Sequence, residues 1–177
     1  MKNKYIIVGP GASGKDWLLN RMMSLGFRPM RQYTTREKRE NETGNEYHFV
    51  DEETFKKMES ENKFASVNFY HIGWYGVSYD ELRKSDVAIL SPANVRDVFR
   101  MYPGLRDRYT IIYLDMPIEL RRKRLAARYV NKVGDDNERR LAADEHDFAG
   151  YDIWDLRFED VKSVNDFINN LSLSLKG

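Results

Sequence analysis

Cysteine is absent from the 177 residues, so neither a disulfide nor a thiolate metal site is available. Net charge is almost absent too: 29 Lys and Arg stand against 28 Asp and Glu, leaving +1. Nothing global points to nucleic acid or a membrane surface, and no stable nucleic-acid partner is expected. No apolar run approaches the roughly 20 residues of a membrane span. The opening MKNKYIIVG holds one short apolar stretch. Charges and glycines follow where a signal peptide would continue, so a cytoplasmic location without a membrane partner is expected. Repeats, low-complexity tracts and linkers are missing as well. The histidines, His48, His71 and His146, have no carboxylate or cysteine partner at ligand spacing, so they read as structural or solvent-facing.

What is present fits one soluble domain: 41% hydrophobic and 32% charged residues, in a chain long enough to bury a core without a staple. Three near-continuous apolar runs, Tyr5–Val8, Val87–Leu90 and Thr110–Leu114, read as buried parallel strands. Helical segments are predicted at 15–24, 78–84, 93–101, 117–130, 137–148 and 160–174. Strands alternating with helices argue for an α/β fold with a parallel core sheet. Residues 28–77 differ, being polar and aromatic, with strand candidates at 47–50, 64–69 and 74–77 around a helix near 51–61. They read as a small β-rich insertion, leaving a core of about 1–27 and 78–177. The polar Asn131–Asn137 reads as a mobile loop.

The chemistry begins at Gly9-Pro10-Gly11-Ala12-Ser13-Gly14-Lys15, between an apolar strand and Asp16-Trp17-Leu18-Leu19. Glycines let a backbone wrap an anion with its N–H groups inward. The next helix adds its positive end, and Lys15 adds a cation. Gly9, Gly11, Ala12, Ser13, Gly14, Lys15, Asp16 and Trp17 are therefore the candidate ATP contacts. A Ser or Thr commonly follows the lysine as a Mg²⁺ ligand; here Asp16 does, itself a hard oxygen ligand. The alternative is a glycine-rich turn with Asp16 complementing the helix dipole.

Gln32–Phe49 carries Arg36 and Arg39 three apart, with Tyr47 soon after, and a second aromatic stretch ends in Tyr75-Gly76-Val77. Arginine forks grip phosphate oxygens in pairs, and tyrosine hydroxyls can add a hydrogen bond. The alternative is a solvated charged loop over a small aromatic core. Further on, Arg121, Arg122, Lys123, Arg124 and Arg128 fall on one predicted helix, with Arg139 and Arg140 on the next. Arg124 and Arg128 are four apart and share a helix face.

With GPGASGKD, TTREKR…TGNEYHFV, WYGV, RLAAR and RRLAAD in this order, nearly the whole chain resembles the guanylate kinase family of nucleoside monophosphate kinases. That resemblance implies a P-loop kinase fold with a core sheet, an acceptor-binding insertion and a helical lid near 128–140. It implies transfer of the ATP γ-phosphate, with Mg²⁺, to a nucleoside monophosphate. By position it implies that Arg36, Arg39, Tyr47 and Tyr75 hold the acceptor phosphate. Lys15, Arg124, Arg128 and Arg140 would act on the transferred group, with Arg121, Arg122, Lys123 and Arg139 as a solvated face. A family asparagine near the adenine corresponds roughly to Arg157. Asp115 reads either as an outer Mg²⁺ group or as a strand-end cap.

Three departures leave the acceptor's base open. The family's guanine-reading Glu is Ser66, a serine contacting the acceptor is Gln32, and the segment Leu90-Ser91-Pro92-Ala93-Asn94 lacks an expected Asp. A serine cannot pair bidentately with guanine's two adjacent donors as a carboxylate does. Asp16 and Ser66 also resemble the ribose 1,5-bisphosphate kinases of the same superfamily, while Arg39 and Tyr47 resemble nucleotide kinases. A kinase for a modified nucleotide and, last, a non-catalytic binding module complete the alternatives. A monomer or homodimer is expected.

Overall fold

The computed structural model describes residues 4–38, 40, 42–44, 46–70, 73–128 and 134–176. In chain order the strands are β1 (Lys4–Val8), β2 (Tyr33–Thr34), β3 (His48–Phe49), β4 (Phe64–Tyr70), β5 (Gly73–Ser78), β6 (Val87–Ile89), β7 (Tyr109–Leu114) and β8 (Leu156–Phe158). The α-helices are α1 (Lys15–Ser24), α2 (Glu52–Ser60), α3 (Tyr79–Lys84), α4 (Pro92–Met101), α5 (Ile118–Arg128), α6 (Gly134–Phe148) and α7 (Val161–Ser174).

The core sheet runs β6-β1-β7-β8, all parallel. Alternation along β1 builds both faces. Tyr5 and Ile7 pack with Leu18 and Met22 of α1 and Val164 and Ile168 of α7. Ile6 and Val8 pack with Val95 and Val98 of α4 and with Tyr113 and Tyr151. Helices on both faces explain why these strands read as unbroken apolar runs. From β1 the chain goes first to β6 on one side and then to β7 on the other. That order reversal opens a crevice at the carboxyl end of β1, where the glycine loop lies.

The second sheet runs β3-β2-β5-β4. Phe55 of α2 stacks on Phe64 at 4.7 Å, centroid to centroid, and fills the sheet's far side. A Cβ on Gly76 would stand 2.6 Å from the Phe64 ring, so only glycine lets that ring lie flat. The β4–β5 register shifts between Phe64 and Ser66. This bulge sends Phe64 to the α2 side and turns Ser66 toward α4.

Two expectations change. The loop read at Asn131–Asn137 is helical from Gly134 onward as the first turn of α6, while residues 129–133 lie outside the described residues. Asp135 and Asp136 look like loop composition, yet acids also suit a helix N-terminus. Strands β2 and β8, of two and three residues, were not anticipated because such lengths carry no period.

Candidate active site

The glycine loop turns sharply between β1 and α1. Gly14 caps α1 at φ +104°, a conformation glycine adopts without cost. A Cβ on Gly9 would lie 2.6 Å from Ser13 Oγ and 2.9 Å from the Leu114 carbonyl, so glycine lets the loop close against β7. Lys15 Nζ donates to the Gly9 and Pro10 carbonyls at 2.7 and 2.8 Å, which folds its ammonium over the loop. Ser13 Oγ is buried and makes no hydrogen bond within the described residues. Ala12 sits at φ +60°, strained backbone of a kind held at ligand sites.

Two groups from the helices past β7 close on this loop. Arg124 of α5 donates through Nη1 to the Ala12 and Ser13 carbonyls at 3.0 and 3.2 Å. Asp144 of α6 accepts from the Gly11 N–H at 2.8 Å. A carboxylate oxygen thus already occupies an inward N–H of the loop, and the orphaned Ser13 hydroxyl lies beside it. Both observations fit a phosphate-bearing ligand such as ATP. Burial pushes the Asp144 carboxyl above the usual range, with the Gly11 N–H opposing that shift. A raised acid favours the folded state below the ordinary Asp value of about 4 and loses that advantage as pH rises. Asp144→Asn is therefore expected to melt higher than the parent at neutral pH, with the gap closing near pH 4; melting curves across pH check this.

Arg121 corrects the expectation of a solvated face. It is 2% exposed, donates through Nε to the Met116 carbonyl, and pairs with Glu145 at 2.5 Å and Asp144 at 3.5 Å. It ties α5 to α6 and positions Asp144 over the loop. Arg140 is exposed on α6, and the side chain of Arg128 lies outside the described residues.

On the acceptor side, Arg36 is 4% exposed and closely wrapped. Its Nη1 and Nη2 hold both oxygens of Glu42 at 2.9 and 2.7 Å, and Nε donates to Tyr75 Oη at 3.1 Å. The guanidinium lies 5.3 Å from the Tyr47 ring centre and 5.4 Å from that of Phe49. Glu42 makes with Arg36 the fork-to-fork contact that a phosphate would make. The hydrogen bond to Glu42 holds Arg36 above its already high pKa. A Cβ on Gly73 would meet the Arg36 backbone at 2.8 Å, so glycine there lets β5 pass close by. Arg39 lies outside the described residues.

A cavity of about 630 Å³ joins the two halves, with Lys15 and Asp16 on one wall and Gln32, Glu42, Thr43 and Tyr47 on the other. A second cavity of about 750 Å³ runs from the loop past Trp17 and Arg124 to Val161 and Asn165 of α7. Asn165 carries no sequence signal for this site. Arg157 is elsewhere: it lies on β8 and donates through Nε to Asp115 at 2.9 Å. Tyr113 Oη donates to the other Asp115 oxygen at 3.0 Å, so Asp115 ties the end of β7 to β8. His48 contacts Glu81 at 3.1 Å and stacks on Tyr33, a structural role, while His146 is exposed and His71 lies outside the described residues.

No group of three or more His, Asp or Glu side chains that could hold a metal occurs among the described residues. Asp16 is exposed in the first turn of α1, beside Lys15. A lone carboxylate beside a phosphate cradle suits Mg²⁺, which keeps water ligands and takes others from the phosphates.

The guanylate kinase family model matches residues 1–88. Guanylate kinase from Wigglesworthia glossinidia brevipalpis is 30% identical over 143 residues, covering 76% of this chain and 69% of that protein. The chain belongs to the guanylate kinase family. Guanylate kinase from Schizosaccharomyces pombe is 37% identical over 79 residues, 41% of this chain and 38% of that protein. A solved guanylate kinase from Anaplasma phagocytophilum superposes with a TM-score of 0.69 at 18% identity, covering 99% of this chain and 86% of that one. Shikimate kinase from Bacteroides thetaiotaomicron superposes at 0.51 and 12% identity over 99% of both chains, which shows the shared P-loop kinase fold. The chain is thus a phosphotransferase of the nucleoside monophosphate kinase kind. No helix among the described residues is long and apolar enough to cross a membrane.

Against the guanylate kinase pattern, the three departures converge in space. Ser66 Oγ donates toward Asn94 Oδ1 at 3.1 Å, and Asn94 Nδ2 donates to Gln32 Oε1 at 3.4 Å. Ala93 is not part of this contact set; Asn94 faces the cluster.

Proposed function

We propose that this chain transfers the γ-phosphate of ATP to the phosphate of a nucleoside monophosphate, with Mg²⁺ bound beside the loop. The observation that carries this is the 630 Å³ cavity with Lys15 and Asp16 facing Glu42 and Tyr47. Lys15 stands at the end of the anion cradle, and Glu42 on the facing wall is the carboxylate that the Arg36 fork holds, so two phosphate-binding groups address one space. Gly9–Gly14 and Lys15 would hold the ATP phosphates, with Trp17 at the mouth of the adjoining cavity. Arg36, Arg39, Tyr47 and Tyr75 would hold the acceptor phosphate in place of Glu42. Mg²⁺, near Asp16, would neutralise the nucleotide's phosphate oxygens. The acceptor phosphate is already ionised, so no general base is needed and catalysis is positioning plus electrostatics.

Residues 128–140 would form the lid, with Arg128 and Arg140 reaching the transferring phosphoryl group. Arg124 is already on the loop, fixed by two carbonyls. Charge spreads over the γ-phosphate oxygens during transfer, and Arg124 would stabilise them. Arg124→Ala is expected to lower kcat about a hundredfold while changing acceptor KM little, because the group acts mainly on the transition state. Steady-state ADP release checks this; an unchanged kcat contradicts the assignment.

The reading itself is tested by ADP release against ribo- and deoxynucleoside monophosphates, modified pyrimidine monophosphates and ribose 1,5-bisphosphate. A nucleoside monophosphate is the expected best acceptor. Absence of ATP binding and of turnover with every acceptor overturns the kinase reading. Fastest turnover of the sugar bisphosphate overturns the nucleotide reading alone.

A further inference from the structure

A third cavity, of about 600 Å³, lies at the other end of the core sheet from the glycine loop and shares no lining residue with the two cavities there. Lys4 and Tyr109 line it, register partners at the amino ends of β1 and β7. Tyr33 of β2 and Lys63, just ahead of β4, line it from the insertion. Arg108, the last residue of the 3-10 helix Pro103–Arg108, lines it from the core. Between these, α3 contributes Tyr79 and Leu82.

Helix α3 joins the two halves. Its start is held by the insertion: Ser78 pairs with Phe64 across the β4–β5 ladder, and the Tyr79 N–H donates to the Lys63 carbonyl at 3.1 Å. Its end is held by the core: Lys4 Nζ donates to the Leu82, Arg83 and Ser85 carbonyls at 2.7, 2.9 and 2.8 Å, and Tyr109 Oη donates to that of Leu82 at 2.9 Å. An ammonium has three protons, so Lys4 keeps none for a ligand. Charge around the cavity is one-sided. Lys4, Lys63, Arg83 and Arg108 stand against Asp80 alone, in a chain whose whole balance is +1. Arg83 already holds Asp80. Lys63 and Arg108 are exposed, and neither side chain makes an ion pair or hydrogen bond among the described residues. Aromatic surface accompanies them: Tyr79 and Tyr102 meet edge to face at 4.9 Å, and Tyr33 is half-buried.

We propose that this cavity is a second ligand site, taking an aromatic phosphate monoester, and that its occupancy changes acceptor affinity. Its volume falls within the roughly 300–1,000 Å³ of small-molecule sites. A flat ring packs against the tyrosines. A phosphate monoester carries nearly two negative charges, enough to answer both Lys63 and Arg108, where a carboxylate answers one. Those cations belong to different halves, Lys63 to the insertion and Arg108 to the core, so an anion between them fixes how the halves sit. Helix α3 passes the same constraint to β5, the strand that carries Tyr75 against Arg36. A ligand that favours one arrangement of the halves shifts acceptor affinity when the acceptor also favours one. The kinetic half of this proposal rests on the nucleoside monophosphate kinase reading above; the binding half does not.

The probe is 4-methylumbelliferyl phosphate, titrated by calorimetry, with 4-methylumbelliferone and inorganic phosphate as the ring and the anion alone. The parent, Lys15→Ala and Arg36→Ala are expected to bind it alike. The double variant Lys63→Glu, Arg108→Glu is expected to bind it at least about tenfold more weakly, the range of a charge-assisted hydrogen bond. Both positions are exposed, so the variant should fold; a melting curve checks this, and Lys63→Gln with Arg108→Gln stands in if it does not. Binding no tighter than that of either fragment overturns the proposal. So does binding that survives the charge reversal, or binding lost in Lys15→Ala or Arg36→Ala, which places the probe between the glycine loop and the arginine fork. In steady-state kinetics, saturating probe is expected to shift acceptor KM about fivefold or more in the parent and not in the double variant. An unchanged KM overturns the coupling, and a shift that persists in the double variant is competition at the acceptor site and overturns it too. A parent that turns over no acceptor defeats the kinase reading, and the binding comparison still decides the site.

Discussion

Lys15→Ala should lower kcat/KM for phosphoryl transfer by about a thousandfold, the upper range for removing one preorganised electrostatic contact. The geometry gives the reason. Lys15 Nζ is fixed by the Gly9 and Pro10 carbonyls at 2.7 and 2.8 Å, on the loop whose Gly11 N–H already holds the Asp144 carboxylate. Water in the vacated volume cannot reproduce a fixed positive charge, because it must reorient as charge shifts during transfer. The loop's shape depends on Gly9, Gly14 and the contact with Leu114, so folding should persist. ADP release and a melting curve measure the two separately. Full activity in a folded Lys15→Ala protein refutes the loop assignment.

Arg36→Ala should have two effects that can be separated. Loss of the fork removes the grip on the acceptor phosphate, so kcat/KM for the acceptor should fall at least about a hundredfold while ATP binding holds. The same change takes from Glu42, whose side chain is only 13% exposed, its 3%-exposed partner. Removing one member of a buried pair costs about 3 kcal/mol of stability. Replacing both Arg36 and Glu42 by alanine should recover much of that stability and none of the activity. Chemical denaturation and kinetics on the two single variants and the double variant check this. Activity that returns in the double variant would show that Arg36 acts only through folding.

Much of the core was legible in the sequence. Apolar runs at Tyr5–Val8, Val87 onward and up to Leu114 declare buried parallel strands, because a strand covered on both faces needs no polar alternation. The glycine loop declares itself by composition, because backbone wrapped about an anion needs residues without side-chain clashes, as Gly9 shows. Arg36, Tyr47 and Tyr75 were singled out by the family resemblance, and the fold brings them together in one contact set.

Other residues were not legible, for a shared reason: their partners are distant in the chain. Arg121 reads as one more cation on a basic helix, yet it is buried because α6 returns Asp144 and Glu145 to it. Asn165 reaches the cavity beside the glycine loop only because α7 packs on α1. Asp97 joins Ser66 across 31 residues by way of a bulge in β4 and one turn of α4.

The sequence by itself determined the P-loop kinase architecture and the phosphate chemistry. Both depend on short-range features, namely strand hydrophobicity, glycine geometry and cations beside an anion cradle. Tertiary structure decided which charges face inward and which side chains from distant segments meet. Those depend on packing between elements, because a buried charge such as Arg121 is set by partners that a helix brings back from far along the chain.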